Sequence, residues 1–164
     1  MILSDGTLRR MLHQFITEDA DSTLINPASI DIRIGRRLLY EDGDAWTQIE
    51  LVKYREGCYQ LQPGEFVLVE TLERLTVPNG YAIELKLKSS RAREGYNHSM
   101  AFWFDPGWDG IGTMEIHNVS RVRTLPLFTG LRFAQIIIHQ LDAPAVTPYQ
   151  GRYHNAIRVE ASKG

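Results

Sequence analysis

This 164-residue chain is expected to fold as a mainly β barrel or sandwich with short helices, and three observations support that expectation. Segments of alternating apolar and polar residues recur along most of its length. Short turns carrying glycine, proline, asparagine or aspartate separate them. Helical periodicity is confined to the N-terminus.

The elements follow in chain order. Ser4 stands where a helix cap would, ahead of Leu8, Met11, Leu12 and Phe15 on one side of a helix, with Leu3 outside the cap placed to contact Leu8. Such an apolar stripe points to packing rather than chemistry. Ile30, Ile32 and Ile34 alternate with Ser29, Asp31 and Arg33, as in a strand with one polar face, and Asp42 to Trp46 reads as a surface turn. Phe66 to Leu72 and Tyr81 to Leu87 read as strands on either side of Pro78-Asn79-Gly80. In the second, Tyr81, Ile83, Leu85 and Leu87 share one face and Glu84, Lys86 and Lys88 the other. Further strands are expected at Gly112 to His117, Thr124 to Phe128 and Arg132 to His139. Residues 144 to 164 read as an irregular tail, either a solvated end or a segment that folds over a ligand.

Composition narrows the function classes. At 43% hydrophobic residues the chain can build one substantial core, so residues 1–164 are read as a single domain. Eighteen basic and twenty acidic residues give a net charge of -2, which lends no support to a nucleic-acid-binding role. Neither a signal-peptide pattern nor a membrane-length apolar run is evident, so the expectation is a cytoplasmic protein without a membrane partner. Cys58 is the sole cysteine; the zinc-deaminase pattern with paired cysteines is therefore missing. His98, His117, His139 and His154 compose no local zinc motif, and no protein-only metal cage is expected.

Three segments carry the chemistry. Lys88-Ser89-Ser90-Arg91-Ala92-Arg93 follows a strand, and its serine hydroxyls and the Arg93 guanidinium suit phosphate oxygens. Lys88 adds charge without an arginine's bidentate geometry. A helical turn starting there would point backbone amides at the same anion. Asp105-Pro106-Gly107-Trp108 reads as a sharp turn holding a carboxylate at a defined mouth, with Trp108 either packing or lining it. Glu115 sits between Met114 and Ile116 on a strand, so its side chain faces away from theirs. Taken alone, Glu115 would be an exposed glutamate and Ala101 a small core residue.

In this order the segments resemble the deoxycytidine triphosphate (dCTP) deaminase family, the deaminating branch of the trimeric deoxyuridine triphosphatase (dUTPase) superfamily. The resemblance begins at Asn26-Pro27-Ala28-Ser29-Ile30-Asp31-Ile32-Arg33-Ile34-Gly35, continues through Gln62-Pro63-Gly64-Glu65-Phe66, and reaches Gln135 and a reduced tail. It implies a dUTPase-like distorted jelly-roll or β-barrel, and a homotrimer whose neighbouring chains complete each active site. Glu115 matches the catalytic glutamate, and Ser89 a residue that orients water or stabilises charge at the base. Lys88, Ser90 and Arg93 match phosphate-binding positions, Asp105 lies near the deoxyribose, and Ala101 leaves room beside the base. Trp108, Gln135, Tyr149 and Tyr153 complete the expected substrate-binding set, with the tail closing over the site.

The reaction implied is zinc-independent hydrolysis of dCTP to dUTP and ammonia, with Glu115 activating water and Mg²⁺ bound mainly through the nucleotide phosphates. The chain departs from the family pattern at several positions. Lys88 replaces an arginine, Arg91 replaces a leucine and is expected to point to solvent or a neighbouring subunit, and Phe102-Trp103 replaces a commonly polar pair. Gly95 to Met100 is also less family-like. The alternatives are dUTP diphosphatase or bifunctional activity, deamination of a modified cytosine deoxynucleotide, and non-enzymatic nucleotide sensing.

Overall fold

The computed structural model describes residues 1–98, 101 and 103–164. The departures at Ser99, Met100 and Phe102 therefore lie outside the described residues. The N-terminal stripe forms helix α1 (Asp5–Phe15), which buries Leu8, Leu12 and Phe15. Ser4 takes the cap position through its carbonyl, accepting the Thr7 and Leu8 N–H groups at 3.0 and 2.9 Å, while its hydroxyl makes no capping bond.

The chain then runs through β1 (Ile16–Glu18), β2 (Ile25–Asn26), β3 (Ser29–Asp42), β4 (Ala45–Glu50) and β5 (Cys58–Leu61). After these come β6 (Phe66–Thr76), β7 (Tyr81–Leu87), helix α2 (Ser89–Glu94), β8 (Tyr96–His98) and β9 (Trp103–Phe104). The last strands are β10 (Asp109–Asn118), β11 (Leu125–Phe128) and β12 (Arg132–Gln140). A ten-stranded sheet follows the order β8-β10-β6-β3-β12-β7-β9, with β1 on β6 and β2 and β4 on β3; β11 and β5 form a separate pair. The mainly β expectation holds.

The alternation of β3 supplies Ile30, Ile32 and Ile34 to the core, where they meet Met114 and Ile116 of β10 and Phe133 of β12. Edge-on aromatic pairs, Phe15–Tyr81 at 5.1 Å and Tyr96–Phe133 at 5.4 Å, lock α1 and β8 onto this core. Strand β7 has the expected bounds. Strand β6 runs past its expected end at Leu72 because the first charged residue beyond it is buried rather than exposed: Glu73 is 0% exposed. Asp42 to Trp46 is only partly a turn, since Ala45 and Trp46 already pair with Asp42 and Glu41 in the β3–β4 ladder.

Glu73 is tolerated because Arg33 meets it twice, through Nε at 2.7 Å and through its backbone N–H at 2.9 Å. Burial pushes its carboxyl above the ordinary 4.5, against the downward pull of Arg33. The same guanidinium donates to the Asp19 carbonyl at 2.7 Å, tying the loop after β1 to the sheet. Removing the carboxylate would strand a largely buried cation. Glu73→Ala is expected to cost about 3–5 kcal/mol in urea unfolding; a cost below about 1 kcal/mol would contradict this role for the pair.

Candidate active site

The face of β10 opposite Met114 and Ile116 borders a cavity of about 530 Å³. Ile111, Thr113 and Glu115 form its floor with Phe66 and Leu68 of β6, and Trp46 of β4 stands at one end. Ala101, Trp103, Phe104, Asp105 and Trp108 come from the connection ahead of β10. The tail supplies Tyr149, Tyr153, Ala156, Glu160 and Ser162.

Backbone register aims the floor. Glu115 lies opposite Leu68 and Thr113 opposite Glu70 in the antiparallel β10–β6 ladder, and the flanking Met114 and Ile116 are buried as their alternation requires. The Asp105-Pro106-Gly107-Trp108 turn closes with the Trp108 N–H on the Asp105 carbonyl at 3.0 Å. Asp105 stays exposed and accepts the Trp103 indole N–H at 3.0 Å. Trp108 serves both roles left open by its sequence: it is 6% exposed, packs on Phe104 at 4.6 Å and also lines the cavity.

The tail is docked by main-chain contacts. Tyr149 donates its N–H to the Pro106 carbonyl at 2.7 Å and Asn155 to Asp109 at 2.8 Å, while the Ala156 carbonyl accepts the Ile111 N–H at 2.8 Å. Gly110 permits this approach: a Cβ there would sit 2.9 Å from the Ala156 nitrogen and oxygen, and its φ of 148° disfavours other residues. Val159, 2% exposed, packs with Leu39 and Leu68. Within residues 144 to 164, Ala156 and Val159 are buried against the sheet, while Gln150 to Tyr153, Ile157 and Arg158 stay exposed.

Glu115 is electrostatically distinctive. Its Oε2 atom is buried and has no hydrogen-bond partner among the described residues, and burial raises its carboxyl above the ordinary 4.5. A backbone hydrogen bond opposes that shift only in part.

The remaining predicted residues form a different cluster, none of it lining the cavity. Ser89 opens α2, and Ser89, Ser90 and Arg93 are exposed on that short helix. Lys88 precedes it, but its ammonium pairs with Asp31 Oδ1 at 2.5 Å, and Asn26 Nδ2 donates to the same oxygen at 2.8 Å. Arg91 pairs with Glu94 at 2.9 Å. Gln135, in the middle of β12, accepts the Ser29 hydroxyl at 3.0 Å. Sequence reasoning missed Trp46, Phe66, Leu68, Thr113 and Glu160. Only Thr113 carried a signal, because it shares the face of Glu115 two residues away.

With its pKa raised on folding, Glu115 binds its proton more tightly in the folded chain than in the unfolded one. Below about 4.5 both states are protonated and no penalty arises; as pH rises beyond that, ionisation costs stability. Glu115→Gln is therefore expected to melt at a higher temperature than wild type at neutral pH, with the gap closing in acid. A gap unchanged between neutral pH and pH below about 4.5 would contradict this origin of the shift.

Comparison with known proteins places the chain in a family. A family model described as dCTP deaminase-like matches residues 2–141. The dCTP deaminase of Pyrococcus furiosus is 35% identical over 164 residues, covering 99% of this chain and 97% of that protein. The "dCTP deaminase, dUMP-forming" of Corynebacterium glutamicum is 36% identical over 163 residues, covering 91% of this chain and 86% of that protein. The crystal structure of 2'-deoxycytidine 5'-triphosphate deaminase from Agrobacterium tumefaciens superposes with a TM-score of 0.70 at 21% identity, covering 85% of this chain and 47% of that one. The extended match along the sequence and the shared fold together establish that the chain belongs to the dCTP deaminase-like family.

Proposed function

We propose that the cavity receives the cytosine of dCTP and that Glu115 activates water for attack on C4. The observation that carries this reading is a half-buried carboxyl, raised by its burial, whose Oε2 has no hydrogen-bond partner among the described residues, on the floor of a cavity that a nucleoside can enter. In such a place a glutamate can serve in turn as base and acid. Relatives bearing the name dCTP deaminase support the substrate assignment.

Glu115 takes a proton from water as the oxygen adds to C4, and delivers it to N3. The second proton of that water passes through the same carboxyl to the amino group, the C4–N bond breaks, and ammonia leaves uracil behind. Ala101 leaves room beside the base, Asp105 and Trp108 hold the deoxyribose end, and Tyr149 and Tyr153 exclude water from above.

The triphosphate is assigned to Ser89, Ser90 and Arg93. These residues are exposed and stand apart from the cavity of their own chain, so the reading places them in the site of a neighbouring copy within a homotrimer. Lys88 and Gln135 support that cluster, Lys88 by holding Asp31 and Gln135 by holding Ser29. Ser89, from the neighbouring copy in this reading, orients the attacking water. Magnesium enters as a ligand of the phosphates, since it prefers oxygen donors and keeps several waters. Among the described residues no group of three or more His, Cys, Asp or Glu is assembled to hold a metal.

The test is product analysis with magnesium and dCTP. Wild type is expected to release dUTP and ammonia, and Glu115→Gln to lose about 10²–10⁴-fold in kcat. Appearance of dUMP and pyrophosphate would assign the dUMP-forming variety. Saturable dCTP binding without any product would overturn the deaminase reading in favour of a sensor.

A further inference from the structure

Glu160 is a third carboxylate lining the cavity, beside Asp105 and Glu115, and the reaction above does not use it. We propose that Glu160 reads the exocyclic amino group of cytosine and so separates substrate from product. This rests on the reading that the cavity holds the base.

The tail carries Glu160 to a fixed place. Ala156 bridges Gly110 at the start of β10, and four residues later the Glu160 N–H donates to Thr113 Oγ1 at 3.3 Å. Thr113 and Glu115 share one face of that strand, about 7 Å apart. Glu160 is thus anchored one side-chain step from the proposed catalytic carboxyl. Between these two anchors Val159 is buried, which keeps the segment from sliding.

The head group is also held. Lys163 Nζ lies 2.7 Å from Glu160 Oε2, donates to the Arg152 carbonyl at 3.0 Å and sits over the Tyr153 ring at 5.3 Å. A carboxylate offers about four acceptor positions, so one ammonium leaves acceptor capacity for a ligand.

The chemistry gives the sign of the discrimination. Cytosine presents an N4 amino donor, which a glutamate carboxylate accepts. Uracil presents an O4 acceptor at the same place and meets the carboxylate lone pair to lone pair. Burial is the leading cause of the raised Glu115 carboxyl, so the effect of Glu160 falls on nucleotide choice rather than on the protonation of Glu115. A glutamine at position 160 would offer both a donor and an acceptor and accept either base.

The experiment is equilibrium titration of dCTP and dUTP, with magnesium, into Glu115→Gln and into Glu115→Gln combined with Glu160→Gln. The single variant is expected to turn dCTP over about 10²–10⁴-fold more slowly, which lets its binding be read. The ratio of dCTP to dUTP affinity is expected to fall roughly 5- to 150-fold in the double variant, chiefly through tighter dUTP binding. Glu115→Gln combined with Glu160→Asp should restore part of the preference, which a merely misplaced tail would not. A ratio within about twofold of the single variant, or parallel weakening of both nucleotides, would overturn the proposal. Failure of wild type to deaminate dCTP would instead defeat the catalytic reading, and the binding ratio would still decide the role of Glu160.

Discussion

The structure depends on a carboxylate buried within β6, between β10 and β3. Glu70 of β6 accepts the backbone N–H groups of Arg36 and Arg37 at 2.9 and 3.1 Å on one oxygen. Its other oxygen accepts the Val159 N–H of the tail at 3.2 Å. One side chain therefore joins β3, β6 and the last residues of the chain. Those amides have lost water, and an uncompensated buried polar group costs about 1–3 kcal/mol, so the three segments are held to one arrangement. Gly35 is part of the same constraint, since a Cβ there would stand 2.5 Å from Glu70 Cγ and 2.7 Å from the Thr71 carbonyl. The β3–β6 register shifts between Ile34 and Leu38, where β3 passes over Glu70.

The cavity is a consequence of that arrangement. Glu70 stands opposite Thr113, and Glu115 follows on the same face. The two glutamates have opposite fates in adjacent rows: backbone donors converge on Glu70, whereas Glu115 Oε2 is buried without a partner among the described residues. The first holds the fold, and the second keeps capacity for a ligand. By holding Val159, Glu70 also fixes the residue next to Glu160, which lines the same cavity as Glu115. The tail can thus be irregular in conformation and still be definite in position.

Much of this was legible in the sequence where the information is local. Period-two alternation located β7 to the residue and gave the facing of Glu115, because side-chain direction follows directly from strand geometry. The proline-glycine turn at Asp105 was readable for the same reason. The extension of β6 was not, because Glu73 looks exposed until Arg33, 40 residues earlier, is seen to neutralise it. Lys88 looked free for phosphate because its partner Asp31 lies 57 residues away. Trp46, assigned to a turn, and Glu160, in an irregular tail, reach the cavity only through tertiary packing. The resemblance to a family supplied what periodicity could not, namely which carboxylate to regard as catalytic.

The division of the expected site into a base cavity and a separate Ser89, Ser90 and Arg93 cluster is the claim with most at stake. A crystal structure of Glu115→Gln with dCTP and magnesium tests it most directly. The expected result is cytosine C4 against residue 115, beneath Tyr149 and Tyr153, with the triphosphate on Ser89, Ser90 and Arg93 of a neighbouring copy. A base outside the cavity, or a triphosphate held only by the chain that holds its base, would contradict it.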